Sequence, residues 1–177
     1  ALRESEQRFS SIANATPVMI WLAGQDTLCY WFNAGWLAFT GRTLEQEAGN
    51  GWAQGVHPDD FQRCVDFYQS HFRRQLPFQM EYRLKHHSGN YRWIHDSGVP
   101  RFDADGVFLG YIGSCVDAHE VHTIKNQLAA MADAVPGVVY QYASQPDGSG
   151  KFVYVSHGLK ALFGVSAEAA MHDPLNL

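Results

Sequence analysis

Hydrophobic and polar positions follow two rhythms along this chain, and the change from one to the other marks out its elements. Residues 3–14 place charges around Phe9 and Ile12 at helical spacing, and Pro17 stops that helix by removing a backbone donor. Residues 18–23 and 28–32 are apolar and aromatic, with Gly24-Gln25-Asp26-Thr27 between them, the composition of a hairpin. A short helix is expected over 34–40, closed by Gly41. Thr43 with Glu47 opens another helical turn, which Gly49-Asn50-Gly51 breaks. Pro58-Asp59-Asp60 suits the first turn of a longer helix over 58–74, with Phe61, Val65, Tyr68 and Phe72 on one stripe. The period then falls to two over 78–87, 90–102 and 107–116, three long strands joined at Ser88-Gly89 and Asp103-Ala104-Asp105-Gly106. This order predicts an α+β fold: a five-stranded antiparallel sheet with helices packed on one face.

The chain also repeats itself. The segment from Ser11 to Trp21 recurs from Ala130 to Tyr140, and that from Phe32 to Gly41 recurs from Val155 to Gly164. The offsets are 119 and 123 residues, and the extra four fall in the turn from Gln145 to Lys151, where insertions cost least. Residues 1–120 therefore read as one complete domain with its N-terminal helix. Residues 121–136 read as a helical connector, and 137–177 as the opening half of a second domain. In the connector Val121, Ile124, Leu128, Met131 and Val135 recur at intervals of three and four, as Leu2, Ser5, Phe9 and Ile12 do ahead of the first domain. Since 119 is a multiple of seven, the two helices hold the same heptad register, and both are expected to pair across a dimer axis. The alternative is that each stripe lies against its own sheet.

Composition narrows the class. The 177 residues are 46% hydrophobic and 18% charged, enough for an ordinary core, with a net charge of −5. Lys and Arg are scattered, which argues against nucleic acid or a membrane surface as a partner. No apolar run approaches the roughly 20 residues of a membrane span, and no secretion signal precedes Arg3. Three widely spaced cysteines suit free thiols, so a cytoplasmic location is expected.

The run Glu81-Tyr82-Arg83, Ser88-Gly89, Tyr91-Arg92-Trp93-Ile94, Pro100, Asp105-Gly106, Gly110 and Gly113-Ser114-Cys115-Val116-Asp117 resembles the C-terminal half of a PAS domain. Asn33, Trp36, Phe39-Thr40-Gly41 and Val56-His57-Pro58-Asp59-Asp60 resemble its front half. The likeness runs from about residue 3 to 117, and again from about 128 onward as the N-terminal half of a second PAS-like domain. The family usually closes its last strand with Asp-Ile-Thr, where this chain has Asp117-Ala118-His119. The resemblance implies a sensor module rather than an enzyme, one that binds a small-molecule ligand or cofactor and forms a homodimer. It further implies a relay to a downstream output domain in the same chain, a histidine kinase first and a diguanylate cyclase next. With five Trp and eleven Phe, a ligand-free interaction module with a filled pocket is the alternative.

Strand parity puts Phe78, Met80, Tyr82 and Leu84 on one face, opposite Glu81 and Arg83. By resemblance to flavin-binding relatives, Leu84, Ile94 and Cys115 face the pocket, and parity adds Tyr82, Asp96, Tyr111 and Gly113. Asp96 stands out as an ionisable group on an apolar face; it either meets a ligand, or is solvated or paired within the protein. Trp93, on the other face with Glu81 and Arg83, is expected to lie under the N-terminal helix or a partner. A non-covalent flavin is compatible with such an aromatic pocket. The stretch 49–55 lacks the cysteine of cysteinyl-flavin photochemistry. His57 and His71 fall outside the expected haem-ligand position and suit capping or surface roles. His119-Glu120-Val121-His122-Thr123 is one residue short of the zinc-protease spacing, and Gly148-Ser149-Gly150-Lys151 lacks the first glycine of a phosphate-binding loop. Both read as ordinary polar segments, and no metal site or catalytic constellation emerges.

Overall fold

A computed structural model describes residues 2–145 and 149–172, and the chain divides into two compact units, Ala1–His119 and Glu120–Leu177. The first unit opens with α1 (Leu2–Ala15), the hairpin β1 (Met19–Ala23) and β2 (Cys29–Phe32), and the short helices α2 (Ala34–Thr40) and α3 (Leu44–Glu47). A 3-10 turn (Gly51–Gly55) leads into α4 (Pro58–Arg74), and β3 (Phe78–Lys85), β4 (Tyr91–Phe102) and β5 (Phe108–Asp117) complete the unit. The strands form one antiparallel sheet in the order β2-β1-β5-β4-β3. This is the sheet expected from the alternation, with strand ends shifted by one or two residues.

Local chemistry sets the helix boundaries. Asn33 caps α2 by accepting from the Trp36 amide, and its Oδ1 also accepts from the Ile20 amide at 2.9 Å. Its Nδ2 donates to the carbonyls of Ala13 and Val18, each at 2.8 Å, so one buried side chain joins α1, β1 and α2. Thr43 and Gln46 form a reciprocal capping box on α3. Gly41 ends α2 at a φ of 69°, a left-handed conformation that glycine adopts without strain.

On α4 the inward row is Asp60, Cys64, Tyr68 and Phe72, while Phe61 is exposed and Val65 is half-buried. The expected stripe is thus correct at its C-terminal end and one residue out at its start. Asp60 causes the difference: its Oδ2 accepts from Arg83 Nε at 2.8 Å and its Oδ1 from Arg83 Nη2 at 3.0 Å, which clamps the start of α4 to edge strand β3. Over the Trp93 ring lies the guanidinium of its cross-strand partner Arg83, 5.5 Å from the centroid, and Phe9 of α1 packs on Trp31 at 5.3 Å.

The second unit contains α5 (His119–Ala134), which begins at its boundary, the hairpin β6 (Tyr140–Ser144) and β7 (Gly150–Val155), α6 (Gly158–Phe163) and α7 (Ala167–His172). Its hairpin repeats the first in detail. Tyr140 pairs with Val155 as Trp21 pairs with Phe32. Ser156 Oγ accepts from the Val139 amide as Asn33 accepts from Ile20. Asp133 caps the His157 amide as Asn14 caps that of Ala34. The Gly148-to-Lys151 motif and the four-residue insertion fall partly on 146–148, outside the described residues, as does the side chain of Leu2.

Candidate functional site

The inner face of the first sheet supplies Met80 and Tyr82 from β3, Asp96 from β4 and Trp21 from β1. With Cys29, Phe32, Trp36, Trp52 and Tyr68 these enclose a cavity of about 10 Å³, room for roughly one water molecule. Aromatic rings fill most of the surrounding space. Trp21 meets Tyr68 edge-on at 6.0 Å and stacks near Phe78 at 6.3 Å. Gly113 makes room for Trp21, because a Cβ there would lie 1.9 Å from the indole.

Asp96 is the chemical centre. It is 2% exposed, its Oδ1 accepts from Trp21 Nε1 at 3.1 Å, and its Oδ2 accepts from the Tyr82 hydroxyl at 3.2 Å. The Cys115 thiol, on the paired position of β5, donates to the same carboxyl. Burial pushes the Asp96 carboxyl up to about 6, and the three donors and nearby His95 only partly oppose that shift. Burial likewise raises the Cys29, Tyr82 and Cys115 groups, and the Cys64 thiol to about 11, so the buried thiols are held protonated.

All seven residues singled out by parity and resemblance are buried on this face: Tyr82, Leu84, Ile94, Tyr111 and Cys115 at 0% exposure, with Asp96 and Gly113 beside them. Only Tyr82 and Asp96 line the cavity. Tyr111 stacks on Phe72 at 4.8 Å, and its hydroxyl donates to the carbonyls of His71 and Leu76, which fastens the end of α4 to β5. Leu84 lies against the backbone at Gly55. Ile94 pairs with Tyr82 across the sheet. The cavity lining from β2, α2, the 51–55 turn and α4 was not anticipated. Aromatic residues there gave a composition signal, but their facing depends on how the helices lie on the sheet.

Glu47 was also missed. Buried at 1% exposure, it accepts from Trp36 Nε1 at 2.7 Å and pairs with Arg42 at 2.5 Å. Its carboxyl is raised by burial, against the pull of Trp36 and Arg42. His57 caps α4 through Nδ1, which accepts from the Asp59 amide at 3.2 Å. Among the described residues no cluster of three His, Cys, Asp or Glu could hold a metal ion, and no helix is long and apolar enough to cross a membrane.

Residues 30–115 match the sequence model of the family described as PAS fold. A protein of Sinorhizobium fredii, y4lL, is 48% identical over 122 residues, covering 68% of this chain and 14% of that protein. The peroxide stress-activated histidine kinase mak1 of Schizosaccharomyces pombe is 26% identical over 137 residues, covering 72% of this chain and 8% of the kinase. The N-terminal domain of a Marinobacter aquaeolei diguanylate cyclase with a PAS/PAC sensor shares the fold, with a TM-score of 0.54 and 23% identity. The match covers 59% of this chain and 98% of that domain. The chain thus spans a small part of the curated relatives it matches. Through this segment it belongs to the PAS domain family.

Proposed function

We propose that the chain is the sensory and dimerisation part of a signal-transduction protein, with a small-molecule site on the inner face of its first sheet at Asp96. The observation that carries this reading is a buried carboxyl group, paired with no cation among the described residues, at the wall of an aromatic cavity in a PAS domain. In this reading the module has no catalytic activity of its own and acts in the cytoplasm. Its state passes through the helix 119–134 to an output domain in the same chain. Histidine kinase is the first choice for that output, as in the fission-yeast relative mak1, and diguanylate cyclase is next. Residues 137–177 open a second PAS-like domain; the repeated hairpin register and hydrogen bonds support this.

One observation favours a second reading. At about 10 Å³ the cavity is far below the roughly 300–1,000 Å³ of small-molecule sites, so a flavin would need the pocket to open. A ligand-free interaction module needs no such opening. Native mass spectrometry of the purified protein, followed by a thermal-shift screen against a metabolite mixture, separates the two. A bound compound, or one that raises the melting temperature in wild type but not in Asp96→Asn, is the expected result. An apo mass with no stabilising compound overturns the ligand-sensing reading.

A further inference from the structure

The cavity at Asp96 is separated from an outer groove by two side chains. We propose that one of them, Trp52, is the door through which a small aromatic ammonium compound reaches Asp96. The proposal rests on the sensor reading above and names its ligand class and route.

The outer groove lies between the 51–55 turn and α4 and holds about 290 Å³. Phe61 and Val65 line it because the first turns of α4 direct Asp60 and Cys64 inward instead. Trp52 and Tyr68 line both the groove and the inner cavity, their rings edge to face at 5.9 Å. The groove alone sits at the lower limit of small-molecule sites, about 300 Å³. Movement of one ring joins it to the Asp96 cavity.

Hydrogen bonds decide which ring moves. The Tyr68 hydroxyl donates to the Thr27 carbonyl at 3.0 Å. Trp21 is held by Asp96 and Trp36 by Glu47. The Trp52 indole N–H is buried with no acceptor among the described residues. A buried donor without a partner disfavours the closed position, and turning the indole into the groove gives that N–H to water. The backbone around it is fixed. Cys29 and Gly49 exchange hydrogen bonds before the turn, and after it the His57 amide donates to the Arg83 carbonyl at 2.8 Å. Arg42 Nη2 donates to the Gln46 and Gly51 carbonyls. The motion is therefore a side-chain rotation on a stationary frame.

Charge decides what is retained. The cavity wall consists of six aromatic rings, Met80, Cys29 and Asp96, with no Lys, Arg or His among the described residues. Ionised Asp96 accepts from three neutral donors, and among the described residues no Lys, Arg or His is hydrogen-bonded to it. A ligand ammonium supplies the missing charge, and aromatic faces attract it further. An anion would meet Asp96 with no counter-charge. The aromatic walls suit a flat apolar group beside the ammonium.

The test uses three compounds of similar shape, phenethylamine, 2-phenylethanol and phenylacetate, each titrated at pH 7.5 into wild type, Trp52→Ala and Asp96→Asn. Stopped-flow tryptophan fluorescence gives the association rate, and calorimetry gives the affinity. The amine should bind wild type about tenfold or more tighter than the alcohol, with no measurable binding of the acid. Trp52→Ala should raise the amine's association rate about tenfold, because the closed state no longer withholds the site. Asp96→Asn should remove the preference for amine over alcohol. Near-UV circular dichroism checks folding, and Trp52→Leu carries the same rate test if the alanine variant does not fold. Equal binding of all three compounds overturns the charge class and leaves the sensor reading standing. An unchanged rate in the Trp52 variants overturns the door. If no compound binds even with Trp52 removed, this ligand class and route are overturned, and the metabolite screen still tests the sensor reading independently.

Discussion

At the scale of single residues, a carboxyl group buried among aromatic rings should resist ionisation, and Asp96 does so. Its titration lies at about 6 in the folded protein, against 3.8 for a free aspartate. The groups facing it are Trp21 from β1, Cys29 from β2, Tyr82 from β3, Cys115 from β5, and Cys64 and Tyr68 from α4, with His95 next to it in sequence. None of the side chains in contact with it is a cation. Between about pH 4 and pH 6 the folded state therefore holds a proton that the unfolded chain has released, so this site's contribution to stability falls as pH rises through that window. The loss amounts to about 3 kcal/mol at neutral pH. Asparagine mimics the protonated form. Asp96→Asn should gain stability relative to wild type by about 2–3 kcal/mol on going from pH 4 to pH 7. Urea unfolding at the two pH values measures it, and a constant difference would show that Asp96 does not carry this titration.

At the scale of elements, Asp60 shows the opposite sign. Hydrogen bonds from Arg83 hold its carboxyl down to about 2, so the α4–β3 clamp contributes stability above about pH 4 that is lost as pH falls through about 2. Asp60→Asn should cost about 2 kcal/mol at pH 7, with the deficit shrinking toward pH 2. A deficit unchanged by pH would mean that packing, rather than the ion pair, fastens the helix. The same element shows what the sequence reveals and what it hides. Period-two alternation gave the strands and the inward parity of Tyr82, Leu84, Ile94 and Asp96, because a strand has only two faces. The front of α4 was read one residue out, because periodicity treats Phe61 as core and Asp60 as surface. A single tertiary ion pair reverses both. Trp52 was hidden for a related reason: the 51–55 turn has too short a period to declare a face, and its position comes from contacts with strands distant in sequence.

At the scale of the whole molecule, the question is how a change at Asp96 would leave the sheet. The Trp93 carbonyl on β4 accepts from the Ala118 amide at 2.9 Å, just past the end of β5 and directly ahead of α5. Along α5 the residues Val121, Ile124, Leu128 and Met131 keep their three-and-four spacing, with Val135 just past its end, and none is buried; Met131 is 67% exposed. The alternative, in which the stripe lies against a sheet of its own chain, would bury it without a partner. An apolar seam of about two heptads left in water is the pattern of a helix awaiting a partner of the same kind. We therefore expect two copies of the chain to pair along α5 in parallel. α1, which precedes the first domain as α5 precedes the second, is expected to pair in the same register through Phe9 and Ile12. Replacing Ile124 and Leu128 with glutamate puts like charges on both sides of that seam. Sedimentation equilibrium should then show the dimer weakened by at least tenfold, on the order of 1.4 kcal/mol or more. Thermal unfolding of the first domain should be unchanged, since neither residue is buried. An unaffected dimer would move the interface elsewhere, and a wild-type monomer at high concentration would remove the paired-helix relay altogether.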